Sequence, residues 1–177
     1  MTTAPPSPDA EALYARLLDA VRAMLAGLPA GQAHLVGIHS GGSWLAERLH
    51  RDLGLPGRPG MLDISFYRDD FARIGLHPQV KPSAIGFDVD DQHLLLIDDV
   101  LYTGRTVRAA MNELFDYGRP ASIRLAVLID RGGRELPVAA DFVAAQVELA
   151  PGQTIVLSRD GDRFRLDFEA PQEPRNA

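Results

Sequence analysis

Asp98 and Asp99 are two adjacent carboxylates that abruptly end the apolar run Leu94–Ile97, and Val100-Leu101-Tyr102-Thr103-Gly104-Arg105-Thr106 follows them. Two acids beside a turn of hydroxyls and glycine can bind a sugar or a metal on one side and a phosphate on the other. Thr103 and Thr106 offer hydroxyls, and Gly104 allows close backbone approach. The unpaired N–H groups and dipole of a following helix favour an anion. Adjacent residues of an extended chain point to opposite sides, so the two carboxylates face different partners. Either Thr103 or Thr106 is a candidate helix N-cap, a role compatible with anion binding because capping and anion binding use the same donors.

The elements that position these residues follow from periodicity. Leu94–Ile97 reads as a buried parallel strand, with the acids at its carboxyl end, where open parallel sheets bind ligands. Before it, Leu13, Leu17, Leu18, Val21, Met24 and Leu25 fall on one helical face that Gly27 ends. Ser7 is the expected N-cap of that helix, with Pro8 at its first position. His34–His39 alternates as a strand, Gly41-Gly42 reads as a sharp turn, and a helix through Trp44, Leu45, Leu49 and Leu53 stops at Gly54. Met61–Tyr67 is the next strand.

Residues 69–91 hold charge, Gly and Pro without a sustained period, so they read as a long loop, a feature that is uncommon in compact domains and often functional. After the phosphate strand come a helix carrying Val107, Ala110, Met111 and Leu114, closed near Gly118, and the apolar strand Ile123–Ile129. Short strands are expected at Phe142–Val147, Thr154–Leu157 and Arg163–Phe168, with Asp160-Gly161 marking a hairpin. Alternating β and α elements imply a mainly parallel sheet flanked by helices.

The ordering from Asp98 to Thr106 resembles the phosphoribosyl pyrophosphate motif of the type I phosphoribosyltransferases. The wording Asp98-Asp-Val-Leu-Tyr-Thr-Gly-Arg-Thr-Val-Arg-Ala-Ala110 is closer to one branch, the bifunctional pyrimidine operon regulator/uracil phosphoribosyltransferases. Leu62-Asp-Ile-Ser-Phe-Tyr-Arg-Asp-Asp70, Gly118-Arg-Pro120 and Leu125-Ala-Val-Leu-Ile-Asp-Arg-Gly-Gly-Arg-Glu-Leu-Pro137 match that branch in the same order. The resemblance spans residues 8–168 and implies an α/β type I phosphoribosyltransferase fold with a small β-rich hood or tail. It also implies one domain over residues 8–169, with disordered tails at 1–7 and 170–177.

In function, the resemblance implies transfer of phosphoribosyl from phosphoribosyl pyrophosphate to uracil, giving UMP and pyrophosphate. Asp98 and Asp99 would hold the ribose hydroxyls, and Val100–Thr106 would wrap the 5-phosphate. Ser40, Gly41 and Gly42 stand where the family places its pyrophosphate loop, and where regulator members read Thr-Arg-Gly. His39 before them reads as a satisfied strand-end histidine. A lid over the substrate would carry Arg68, Arg73, His77 and Lys81, and a base hood would draw on Asp130, Arg131, Phe142 and Val143. Mg2+ would be held mainly by substrate oxygens and water, with no protein ligand assigned and Asp98 or Asp99 the candidates for one.

Relatives assemble as dimers or larger, and Met61–Tyr67 with its neighbouring loop is the expected interface of a homo-oligomer. Two alternatives stay open: a nucleotide-sensing regulator with little or no turnover, and a phosphoribosyltransferase for another base, such as orotate or a purine. Gly133 and Ala139 occupy positions where regulator members carry imidazole or basic side chains. That and the net charge of −6 weigh against RNA contact. Arg134 is expected to pair with Glu135 or Asp141, or to meet a phosphate.

The bulk numbers fit this frame. With 177 residues, 46% hydrophobic and 24% charged, the chain can bury one substantial core. The absence of cysteine excludes disulfides, thiolate metal sites and cysteine nucleophiles. No apolar run is long enough to span a bilayer and no signal peptide is legible, so a cytoplasmic location without a membrane partner is the default.

Overall fold

The computed structural model describes residues 8–64 and 83–170. Helix α1 (Ala10–Ala26) precedes β1 (Ala33–Ile38), α2 (Gly41–Asp52) and β2 (Gly60–Leu62). Strand β3 (His93–Leu101), helix α3 (Arg105–Tyr117), β4 (Ser122–Asp130) and β5 (Phe142–Gln146) follow, and β6 (Thr154–Asp160) and β7 (Arg163–Glu169) close the chain. Five strands form one parallel sheet in the order β2-β1-β3-β4-β5. This is a doubly wound order whose direction reverses between β1 and β3, so the crevice beyond their carboxyl ends is where such sheets take ligands.

The sheet is buried on both faces, so its strands read as nearly continuous apolar runs. Leu95 and Ile97 of β3 pack with Leu17 and Val21 of α1 and Leu45 and Leu49 of α2. Leu94 and Leu96 pack on the other face with Val107, Ala110 and Leu114 of α3. The β6–β7 hairpin joins the α1–α2 layer through Ile155, Leu157, Phe164 and Leu166. It is fastened by Arg48, whose guanidinium donates to both Glu11 carboxylate oxygens (2.8 and 2.9 Å) and to the Asp162 carbonyl (2.9 Å).

Several boundaries differ from those expected, each for a physical reason. The N-cap of α1 is Asp9, not Ser7: its carboxylate accepts from the N–H groups of Glu11 and Ala12 at 3.0 and 3.2 Å. Gly41 and Gly42 are not a turn but the first two residues of α2, because they pack against β3. Strand β3 extends four residues past Ile97, supported on its β4 side alone.

The expected β-rich tail divides in two. Phe142–Gln146 becomes the fifth parallel strand, while the hairpin forms a separate two-stranded sheet with Gly161 at φ +57° in its turn. At the other sheet edge, Met61 and Ala84 exchange backbone hydrogen bonds (2.9 and 2.8 Å), and the Phe87 ring stacks on His34. Residues 83–91 of the anticipated long loop therefore pack on the sheet. The rest of that loop and the end of the Met61–Tyr67 strand lie outside the described residues. No helix among the described residues is long and apolar enough to cross a membrane.

Candidate functional site

The site is built at the reversal point. Because side chains alternate along β3, Asp98 follows Leu94 and Leu96 toward the α3 face, and Asp99 follows Leu95 and Ile97 toward α2. Asp98 is 2% exposed, and its carboxylate accepts the Asp99 N–H at 3.0 Å. Asp99 is half-buried, and its carboxylate lies against the Cα of Gly41, so that a Cβ at position 41 would fall on it. Gly42 is tighter still: a Cβ there would fall on the Ile97 carbonyl and lie 3.0 Å from the Asp98 Cα. The two glycines let the first turn of α2 sit directly on the strand that carries both acids.

Both flanking helices open on the crevice without side-chain caps. The N-cap of α2 is Ser40, preceded by a cis peptide bond from His39, and the Ser40 side chain makes no cap hydrogen bond. The N-cap of α3 is Gly104 at φ +92°, a left-handed conformation that suits glycine, and it too has no side-chain cap. Neither Thr103 nor Thr106 caps the helix. Thr103 lies before the cap and its Oγ1 accepts the Arg105 N–H at 3.2 Å, while Thr106 is the second residue of α3. First-turn N–H groups have no helical acceptor, so two uncapped helices aimed at one crevice suit a ligand with two anionic ends. Ser43, the third residue of α2, is 1% exposed and its hydroxyl has no hydrogen-bond partner among the described residues. The Gly-Gly-Ser start of a helix was its signal in the sequence.

The expected hood residues separate. Asp130 ends β4 and holds the next turn, its carboxylate accepting from the Gly132 N–H at 2.9 Å and from Arg134 at 2.5 Å. Burial pushes the Asp130 carboxyl up, but the Arg134 and Gly132 hydrogen bonds and the Arg134 charge outweigh this and hold it below the usual carboxylate range. Arg131 stacks over the Tyr102 ring, 4.1 Å from its centroid, and donates to the Gln153 carbonyl at 3.1 Å. Phe142 and Val143 lie in the parallel sheet. They start β5, level with Ala126 and Val127, and pack into the two core layers because the sheet needs a fifth strand there.

Arg105 pairs with Glu135 (Nε to Oε2, 2.9 Å). The lid positions Arg68, Arg73, His77 and Lys81 lie outside the described residues. A cleft of about 250 Å3 lined by Leu25, Pro29, His34, His50 and Arg58 lies around the start of β1 and touches none of these groups. The candidate site is defined by the acids and the helix starts.

The phosphoribosyl transferase domain family matches residues 9–158. The chain belongs to that family. Among its relatives, the bifunctional protein PyrR of Ralstonia nicotianae is 48% identical over 169 residues, covering 96% of this chain and 97% of that protein. The bifunctional protein PyrR of Pseudomonas aeruginosa is 52% identical over 164 residues, covering 93% and 91%. These place this phosphoribosyltransferase in the PyrR branch.

Solved structures agree on the fold. A hypoxanthine-guanine phosphoribosyltransferase from Bacillus anthracis superposes with a TM-score of 0.64 at 14% identity, covering 82% of this chain and 86% of that one. A hypoxanthine phosphoribosyltransferase from Staphylococcus aureus gives 0.61 at 18% identity, covering 79% and 75%. Among the described residues, no cluster of three or more His, Cys, Asp or Glu side chains gathers to hold a metal.

Proposed function

We propose that this phosphoribosyltransferase transfers the phosphoribosyl group of phosphoribosyl pyrophosphate to uracil, giving UMP and pyrophosphate. One observation carries the reading: two acids on opposite sides of β3 lie between two uncapped helix starts. Asp98 and Asp99 accept from the ribose hydroxyls, the Val100–Thr106 loop and the start of α3 hold the 5-phosphate, and Ser40–Gly42 with the start of α2 hold the pyrophosphate. The choice of uracil rests on the four regulator-like segments and on the PyrR relatives.

In the reaction the bond from the anomeric carbon to the pyrophosphate oxygen breaks, a bond to uracil N1 forms, and the N1 proton leaves to the departing pyrophosphate or to solvent. The ring gains positive charge as the leaving group gains negative charge. The fixed carboxylates and N–H dipoles stabilise both without reorganising. Mg2+ fits the donor set at the end of β3, which offers hard carboxylate oxygens. It would be held by substrate oxygens with Asp98 or Asp99, and supplies neutralising charge at the pyrophosphate. Assembly of the chain with further copies of itself is part of this proposal.

A second reading, a nucleotide-sensing regulator with slow turnover, is favoured by one feature. Gly41 stands where regulator relatives carry arginine, which removes a charge-assisted contact to pyrophosphate.

The test is conversion of labelled uracil to UMP with phosphoribosyl pyrophosphate and Mg2+, using an Asp98→Asn/Asp99→Asn double variant as control. Turnover lost in the control is the expected result. No turnover with UMP still bound favours the regulator, and neither turnover nor UMP binding overturns both readings.

A further inference from the structure

Residues 134–138 have no regular secondary structure, yet they hold four consecutive residues of the phosphate loop. Arg134 donates from Nη1 to the Tyr102 carbonyl (2.5 Å), from Nη2 to the Asp130 carboxylate (2.5 Å) and from Nε to the Val138 carbonyl (3.0 Å). The N–H groups of Glu135 and Leu136 both donate to the Thr103 carbonyl, at 2.9 and 3.1 Å. Leu136 and Val138 close over Gly104, where a Cβ would lie 3.4 and 3.2 Å from theirs, and the Glu135 carboxylate takes the Arg105 guanidinium.

The consequence follows from peptide geometry. In a trans peptide the C=O and the next N–H point in opposite directions. Pulling the Tyr102 and Thr103 carbonyls toward residues 134–136 therefore turns the Thr103 and Gly104 N–H groups the other way.

We propose that Arg134 is a positioning residue of the transferase site: through the Tyr102 carbonyl it aims the N–H donors of the 102–104 loop at the substrate 5-phosphate. The guanidinium is braced by Asp130 on one side and the Val138 carbonyl on the other, so it acts through the loop and not on the ligand. This deepens the functional reading given above and rests on it.

The test uses ribose 5-phosphate, which carries the phosphate without the base, in calorimetric titrations of the wild type, Arg134→Gln, Arg134→Lys and Asp130→Asn. Steady-state constants for phosphoribosyl pyrophosphate accompany them. Arg134→Gln weakens ribose 5-phosphate about tenfold or more, as expected for a lost charge-assisted hydrogen bond, and raises KM far more than it lowers kcat. Arg134→Lys recovers little, because an ammonium cannot span three acceptors in one plane.

Asp130→Asn decides the sign. A positioning role predicts weaker binding, since the brace loosens. An arginine that contacted phosphate directly would bind more tightly once freed of its carboxylate, and lysine would largely restore it. Tighter binding by Asp130→Asn, or Arg134→Gln binding within twofold of the wild type, overturns the proposal. If Arg134→Gln does not fold, the Lys and Asp130→Asn variants carry the decision. A wild type that binds no ribose 5-phosphate instead refutes the functional reading.

Discussion

Gly42→Ala tests whether α2 is seated on the acid-bearing strand. The added Cβ would fall on the Ile97 carbonyl oxygen and lie 3.0 Å from the Asp98 Cα and 3.2 Å from the Ile97 carbonyl carbon. All three are backbone atoms of β3, and Ile97 is paired with Gly37 on one side and Ala126 on the other. The strand cannot yield, so the first turn of α2 must lift by about 1 Å to restore van der Waals separation. Overpacking of this kind costs about 1–3 kcal/mol, or roughly 2–12 °C in Tm for a chain of this size. The same lift displaces the donors proposed for pyrophosphate, and a misplacement of that size costs about 100-fold in rate.

Gly41→Ala separates the two effects. The three atoms nearest its Cβ all belong to the Asp99 side chain: the carboxyl can rotate away, but the Asp99 Cβ, at 2.9 Å, moves only with the backbone. Stability is expected to fall by less than in Gly42→Ala while turnover falls at least tenfold, because the carboxylate proposed to bind ribose has moved. Gly27→Ala is the control: at φ −85° its Cβ makes ordinary contact 3.6 Å from the Met24 carbonyl. Tm there is expected to hold or rise slightly, with turnover unchanged. Thermal unfolding and the KM for pyrophosphate in the reverse reaction read all three variants. A Gly42→Ala protein with wild-type Tm and turnover within twofold would refute this packing of α2 on β3.

Arg48→Met should cost about 2 kcal/mol in denaturant unfolding, because it removes hydrogen bonds to Glu11 and Asp162 and leaves the Glu11 carboxylate with the Phe164 N–H (2.7 Å) but without its charged partner. Adding Glu11→Gln should cost less than the sum of the single changes. Acid should erode the same contact. The Arg48 hydrogen bonds hold the Glu11 carboxyl below its ordinary value, so its stabilisation is complete above the unfolded pKa and is lost as pH falls through the folded one. Tm measured from pH 7 to 3 should fall below about pH 4.5, and less steeply in Glu11→Gln. Thr103→Val removes the hydroxyl that accepts the Arg105 N–H at 3.2 Å, and should raise KM for phosphoribosyl pyrophosphate about tenfold with little change in Tm.

The sheet and its helices were legible because their signals are local. Leu94–Ile97 bounded by charge, the helical stripe of Leu13 to Leu25, and Gly27, Gly54 and Gly118 at helix ends need no knowledge of the rest of the chain. What was not legible depends on contacts distant in sequence. Gly41-Gly42 looks like a turn until β3 is seen to lie under it. Ser7 and Asp9 are both good caps, and sequence does not rank them.

Arg134 was expected to pair with Glu135 or Asp141, or to meet a phosphate. Instead Gly132 and Gly133, at φ +70° and +73°, swing the chain back so that Arg134 meets Asp130 and Tyr102. Its two expected partners are taken elsewhere: Glu135 by Arg105 and Asp141 by the Leu125 N–H. The strand expected at Phe142–Val147 is present, but its place as the fifth strand of the parallel sheet was not legible, since only pairing with β4 shows it.

The strand order explains why two separate loops can serve one ligand. The chain leaves β1 for one edge of the sheet through α2 and β2, and returns on the other side of β1 as β3 before entering α3. The helices that follow neighbouring strands therefore lie on opposite faces, and their starts converge from both sides on the end of β3. An acid pair there has one member under each helix start by alternation alone. Asp99 lies against Gly41, and Asp98 is buried on the side of α3. Side chains larger than hydrogen at positions 41 and 42 would separate α2 from this arrangement, whereas the α3 side is held by the 134–138 brace. One half of the site is thus fixed by the absence of side chains and the other by a guanidinium, so substitutions in the two halves should fail differently: by overpacking near α2 and by loosening near α3.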